Sequence, residues 1–248
     1  MLVILPPSET KRDGGDASFA LDLAALSFPQ LTAHRRATLG ALRRLSRNLA
    51  QSTAALGLSA GQRFEIDRNR AITTSPTMPA IERFTGVLFD GLDVGSLPGP
   101  ARAWIGDHVV IHSALFGLVG ANDPIPAYRL SHDSKLPELP LRKHWAADVS
   151  RVLGEEPGLI LDLRSESYAN LGPLPEGENR RFLRVVTQGA DGRKRALNHF
   201  NKKGKGEFLR GLAIADIDHP DVASLLSWAA EAGIELAPGK PGELELTV

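Results

Sequence analysis

Short, wholly apolar runs alternate along the chain with apolar stripes at helical spacing, and their order sets the expected elements. Residues 2–5 are apolar at every position, which predicts a strand buried on both faces; Pro6-Pro7 ends it. Leu39, Leu42, Leu45 and Leu49 form a stripe that predicts a helix over residues 33–50, capped by Thr32. Arg35, Arg36, Arg43, Arg44 and Arg47 are then expected on its solvated face. Gly57 reads as a stop, and Ser59 as the cap of a second helix reaching Arg68. Residues 79–84 read as helical and residues 85–92 as extended or turning. Residues 100–106 predict a short helix, and residues 109–112 a buried strand. Residues 123–130 hold Pro124 and Pro126, which predict an ordered, irregular connection. A helix over residues 142–153 points Trp145, Val149 and Val152 inward, and residues 159–163 form another buried strand. Residues 182–187 and 195–200 read as strands about the turn Gly189-Ala190-Asp191-Gly192. A helix over residues 221–232 starts on an acid, which suits its dipole, and stops at Gly233. Residues 234–236 and 243–246 close the chain as short strands. The expected fold class is α/β (α+β): a single mixed-sheet domain over residues 1–248 with surrounding helices. No internal repeat, long linker or low-complexity segment divides it.

Charge sharpens this picture locally. The chain of 248 residues carries 29 basic and 29 acidic side chains, so bulk charge gives no affinity for nucleic acid. The cations are clustered, however. Arg180, Arg181, Arg184, Arg193, Lys194, Arg195, Lys202, Lys203, Lys205 and Arg210 face only Asp191 and Glu207 over the same stretch. There is no cysteine, which excludes disulfides, thiol catalysis and cysteine-ligated metal. The first residues lack the basic flank and small-residue cleavage site of a signal peptide, and no run reaches the length of a membrane span. A soluble, cytoplasmic protein is expected, with no membrane partner.

The chemistry concentrates at the ends of the expected strands. Residues 195–200 should lead as a strand into Asn201, Lys202, Lys203, Gly204, Lys205 and Gly206, with a helix beginning by about Gly206 and carrying Arg210. Glycines let backbone approach a partner, and amides at a helix start bind anions, so this stretch reads as a phosphate-binding corner. The plain alternative is a basic surface turn. It is not a Walker loop. Ser8, Glu9 and Lys11 follow the first strand, Ser113 follows the second, and Ser165, Glu166 and Tyr168 follow the third. If these strands share a sheet, the groups meet at one positive cleft. The seven histidines include no H-E-x-x-H motif, so no metal or cofactor is expected, and His112 reads as a hydrogen-bonded core residue. No Gly-x-Ser-x-Gly surrounds Ser8, Ser113 or Ser165, which weighs against a triad built from any of them with His112 or His199.

Five segments, in order, resemble one family. They are Leu5-Pro6-Pro7-Ser8-Glu9-Thr10-Lys11; Phe84-Thr85-Gly86-Val87-Leu88-Phe89-Asp90-Gly91-Leu92; Ser113-Ala114-Leu115-Phe116-Gly117 with Ile125-Pro126-Ala127-Tyr128-Arg129-Leu130; Leu161-Asp162-Leu163-Arg164-Ser165-Glu166-Ser167-Tyr168; and His199-Phe200-Asn201-Lys202 with Lys205-Gly206. Together they are similar to the YaaA peroxide-stress-resistance family. The resemblance implies a cantaloupe-like fold with a positive cleft. It implies sequence-independent binding of double-stranded DNA through that cleft and a helix-hairpin-helix-like element, limiting iron-driven damage under peroxide. It carries site roles to Lys11, Tyr128, Arg129, Ser165, Tyr168, Lys202 and Lys205. The chain departs from the family at Leu118-Val119-Gly120-Ala121-Asn122-Asp123, where family members commonly carry an Arg-Pro pair. Two functions stay open at this point: DNA binding without catalysis, or an enzyme acting on a nucleotide or phosphorylated small molecule in the same cleft.

Overall fold

The computed structural model describes residues 1–188, 194–195 and 198–248, with side chains for all of these but 188, 194–195 and 198–200. In chain order the elements are β1 (Leu2–Leu5), α1 (Thr32–Leu45), α2 (Leu49–Ala55), α3 (Phe64–Ala71), β2 (Met78–Pro79), α4 (Ala80–Arg83), α5 (Val87–Leu92) and α6 (Gly99–His108). Next come β3 (Val109–Ser113), β4 (Gly117–Gly120), β5 (Pro124–Ile125), α7 (Leu141–Glu155), β6 (Ile160–Asp162) and α8 (Glu166–Ala169). The chain then forms β7 (Arg180–Gln188), β8 (Lys194–Arg195), α9 (Asn198–Ala215), α10 (Val222–Glu231), β9 (Leu236–Pro238) and β10 (Glu243–Thr247).

The main sheet runs β4-β3-β1-β6-β7-β10-β9, and β8 pairs with the end of β7. Strands β3, β1, β6, β7 and β10 are mutually parallel; β4 and β9 are antiparallel edges. β1 lies between β3 and β6, with Val3 opposite both Val109 and Leu161. This is why residues 2–5 are continuously apolar: a central parallel strand is covered on both faces, and Val3, Ile4 and Leu5 have no exposed surface. The chain builds outward from β1 to β3 and β4, then crosses to β6 on the other side. Ligands of α/β sheets bind at such a reversal, beyond the carboxyl ends of the strands. One apolar cluster joins the sheet to the helices, including Trp145, Val149 and Val152 of α7, which are inward as their spacing predicts.

Four expectations are corrected. The helix read over residues 33–50 is two: α1 ends at Leu45, and Asn48 caps α2 by accepting the Gln51 amide at 3.0 Å. Thr32 is the first helical residue, and the N-cap position is Leu31. Arg35 is not on a solvated face. It is wholly buried, and its guanidinium donates to the carbonyls of Phe116 at 2.8 Å and Leu118 at 2.6 Å, pinning α1 to β4. Residues 85–92 are not extended; residues 87–92 form α5.

The largest difference lies at residues 195–210. Arg195 ends β8, residues 196–197 lie outside the described residues, and α9 runs unbroken from Asn198 to Ala215. Residues 198–200 are helix rather than strand, and there is no turn at Asn201, Lys202, Lys203, Gly204, Lys205 and Gly206. Two interior glycines cost a helix roughly 1 kcal/mol each relative to alanine, and the reason they stand here is packing. A Cβ on Gly206 would lie 2.1 Å from the Leu88 carbonyl oxygen, and one on Gly91 would lie 2.9 Å from the Lys203 carbonyl oxygen. Helices α5 and α9 therefore cross backbone to backbone, glycine against helix on both sides. Strands β7 and β8 do pair antiparallel, Thr187 opposite Arg195, but the predicted turn at residues 189–192 lies outside the described residues.

Candidate functional site

Past β1 the prolines end the strand, and the chain pairs at residues 11–12 with residues 83–84, outside the main sheet. Lys11 bridges to Phe84, and the Arg12 amide donates to the Arg83 carbonyl at 2.9 Å. This backbone pairing drives the Lys11 side chain inward. Its ammonium donates to the carbonyls of Ser8 at 2.9 Å and Glu9 at 3.1 Å, and sits 4.3 Å from the centre of the Tyr128 ring. Burial pushes its pKa down to about 7, with Glu65 opposing and Arg129 adding to the shift. Near neutral pH Lys11 thus exists as both amine and ammonium. Tyr128 is buried too. Its hydroxyl and that of Ser113, at the end of β3, lie 2.6 Å apart, and the Ser113 oxygen accepts the amides of Leu115 and Phe116. Burial holds the Tyr128 phenol well above its ordinary pKa.

Arg129 lies beside Lys11. Asn69 clamps its backbone in both directions, donating to the Arg129 carbonyl at 2.9 Å and accepting its amide at 2.8 Å. One terminal nitrogen of the guanidinium meets Glu9 Oε2 at 3.0 Å, while its Nε is buried without a partner. Tyr168 packs edge-on against His132, ring centres 5.1 Å apart, and burial raises its pKa.

A second group of charges lies at the end of β6. Arg164 grips both oxygens of Asp162, at 2.8 and 2.6 Å, and donates to His112 Nδ1 at 2.7 Å and the Gly172 carbonyl at 2.9 Å. All three side chains are buried. Because Nδ1 accepts, the His112 proton resides on Nε2. Burial, helped by the Arg164 charge, lowers the His112 pKa well below its ordinary value. Lys205 reaches this group from α9, donating to the carbonyls of Leu163 at 3.0 Å and Arg164 at 3.3 Å, 5.1 Å from the centre of the Phe182 ring. Burial pushes its pKa down to about 8. Arg184 forks onto Glu243, at 2.9 and 2.6 Å, and touches Glu166 at 3.3 Å. Ser165 is exposed and caps α8, its oxygen accepting the Tyr168 amide at 3.4 Å.

Ser8, Glu9, Lys11, Tyr128, Arg129 and Tyr168 therefore come together beyond β1 and β3, while Ser165, Glu166 and Lys205 gather beyond β6. The short helix α8 joins the two groups, Tyr168 facing the first and Glu166 the second. The rest of the expected corner does not join them. Lys202 is exposed, Lys203 pairs with Glu207 of its own helix at 3.2 Å, and Asn201 is half-buried. Arg210 donates to the carbonyls of Leu92 at 2.9 Å and Asp93 at 3.0 Å, closing the end of α5. Gly204 meets Val248 instead of a ligand. Residues 202–206 lie inside α9, so they are not the hairpin between two helices that the resemblance implies. The sequence reading did not single out Asn69, Asp162 and Arg164 as contributors to the site. Asp162 and Arg164 do carry a signal, two opposite charges closing an otherwise apolar strand. Asn69, in α3, carries none. A hollow of about 190 Å³ adjoins the first group, sharing Phe84 and lined also by Arg12, Glu82, Phe89, Asp90 and Asp93. Among the described residues no helix is long and apolar enough to cross a membrane, and no group of three or more His, Asp or Glu is placed to hold a metal.

The fold and these contacts define a class: a mixed α/β protein with buried lysines and arginines at the carboxyl end of a mostly parallel sheet. The family is the peroxide stress protein YaaA family, to which this chain belongs; the family model matches residues 1–232. A UPF0246 protein of Corynebacterium glutamicum (strain R) is 41% identical over 255 residues, covering 100% of each chain. A UPF0246 protein of Corynebacterium efficiens is 38% identical over 255 residues, again covering 100% of each. One of Streptomyces coelicolor is 38% identical over 249 residues, covering 98% of this chain and 95% of its own. Family membership supports a role in peroxide stress.

Proposed function

We propose that this chain acts in peroxide stress by binding the backbone of duplex DNA, without reading its bases, through the basic stretch that runs from β7 into α9. The observation that carries this reading is the run of ten cations against two acids between Arg180 and Arg210, with Lys202 and Lys203 exposed on the first turns of α9. The fold narrows which of them are available. Arg180 is committed to the Gly158 and Glu156 carbonyls, Arg181 to Gly177, Arg184 to Glu243, Lys205 to Leu163 and Arg210 to Leu92. Lys202 and Lys203 remain, together with the run Arg193-Lys194-Arg195 in the sequence. The Lys203–Glu207 pair is an exposed i,i+4 contact and competes weakly with phosphate.

Each phosphate neutralised releases condensed counterion, so salt is the diagnostic variable. Replacing Lys202 and Lys203 together with alanine should weaken duplex binding and flatten the plot of log affinity against log salt by about two units. Preference among duplex sequences should not change, because phosphate contacts position rather than specify. Titration at several salt concentrations measures this, and an unchanged slope overturns the reading. Lys205 is left intact in the test because it is part of the core.

A second reading, an enzyme acting on a nucleotide or phosphorylated small molecule among the side chains gathered beyond β1 and β3, is favoured by Lys11. A buried amine that titrates near neutrality over the Tyr128 ring is more than a backbone clamp requires. Stabilisation of the protein by one nucleotide at low concentration would select this reading.

A further inference from the structure

We propose that the Arg129 guanidinium is a seat for an external oxyanion, a phosphate group in particular, and that the Glu9 carboxylate is its built-in competitor. The proposal deepens the second reading above and does not depend on DNA binding.

Three observations carry it. The guanidinium is fixed and only half used. Asn69 holds the Arg129 backbone at 2.9 and 2.8 Å, the residue is 7% exposed, one terminal nitrogen contacts Glu9, and the buried Nε has no partner. An arginine fork satisfies a carboxylate or phosphate through two parallel N–H donors, and a buried donor left unmade is costly. Next, the group now on the fork is loosely held. The Glu9 side chain is 66% exposed and stands on the turn after Pro6-Pro7, so it can leave for solvent without unpacking the core. Finally, a second cation stands beside the fork. Lys11 lies beneath, Arg68 is already paired with Glu65 at 3.0 Å, and the hydroxyl of Ser131 engages Asp133 at 2.6 Å. With Glu9 gone, the carboxylates left near these two cations are Glu65, engaged by Arg68, and Asp133, engaged by Ser131, and neither takes the open donors of the Arg129 fork. The seat is therefore an internal salt bridge that a phosphate group can replace like for like.

The test uses the full chain and inorganic phosphate as probe, titrated by calorimetry at constant ionic strength. Glu9→Ala should bind phosphate about fivefold more tightly than the wild type, the scale of an exposed ion pair removed from competition. Adding Arg129→Lys to Glu9→Ala keeps the charge but removes the fork, and should reverse the gain. Equal affinity in wild type and Glu9→Ala overturns the proposal, as does a gain that survives Arg129→Lys. Both variants keep a charged or exposed side chain in place, and a melting curve without phosphate confirms that they are folded. A nucleotide that stabilises the wild type and the Arg129→Lys variant equally would leave the second reading standing and remove this seat.

Discussion

Lys11 is the residue with the most to say about its surroundings. Its ammonium is hydrogen-bonded only to carbonyls and lies over aromatic rings, so the folded chain holds it at a pKa of about 7 against an ordinary 10.5. The sign of the consequence is fixed. Between those two values the unfolded chain binds a proton that the folded chain does not, so stability rises with pH across the interval. Lys205 adds a second rise of the same sign above about pH 8. The full difference is about 1.4 kcal/mol per pH unit per group. We expect the urea midpoint of the wild type to climb from pH 7 to pH 9.5, and Lys11→Met to flatten the lower half of that climb. A midpoint that falls over this range, or a Lys11→Met profile parallel to the wild type, would show that Lys11 is charged in the folded state. Arg35 gives the same lesson more simply. Five arginines on one helix read as a solvated face, and four of them are exposed. The fifth is buried because the carbonyls of Phe116 and Leu118 await it, just before and within β4, far along the chain.

At the scale of elements, the crossing of α5 and α9 is the contact that local sequence hid. Phe208, Leu209 and Leu212 form an apolar face of α9, and they are buried. Gly204 and Gly206 were expected to end or precede that helix, and they lie within it. Glycine carries the same letter whether it opens a turn or admits a neighbouring backbone, and only the partner decides. Residues 85–92 were misread for the matching reason: the partner of Gly91 is α9, more than a hundred residues on. By contrast β1, β3 and β6 were legible, because a strand buried on both faces writes its environment into every position. The ends of those strands were legible as places, and Lys11, Tyr128 and Arg129 do meet there. Their partners Asn69 and Glu65 come from α3, whose surface pattern gave no reason to expect them. The crossing also makes a prediction. Gly206→Ala places a methyl against the Leu88 carbonyl and should cost roughly 1–3 kcal/mol or more, whereas Gly61→Ala, in open space, should cost little. Comparable unfolding midpoints for the two variants would contradict the backbone-to-backbone contact.

For the whole molecule, composition and fold combine into a chemical disposition. The chain has no cysteine and two methionines, Met1 and Met78, both half-buried. Methionine oxidation is the main route by which peroxide would roughen such a core, and here neither thioether lies in the sheet's interior. Treatment with millimolar hydrogen peroxide should therefore shift the melting temperature by less than about 2 °C, a small fraction of a domain's stability at this size. Mass spectrometry would report oxidation at Met1 and Met78 beside that measurement, and a large loss of stability would show that one of them supports the fold.

The seam between α5 and α9 bears on how relatives of this chain are compared. A lysine-and-glycine string invites annotation as a phosphate loop wherever it occurs. Here its glycines are hinge-pins of a helix joint, Lys205 is a bolt driven into the sheet, and only Lys202 and Lys203 face outward. Substitutions in that string should then be scored by two separate yardsticks, steric room at 204 and 206 and surface charge at 202 and 203. A relative that keeps the glycines but loses the outward lysines would share the architecture while having given up whatever those lysines touch.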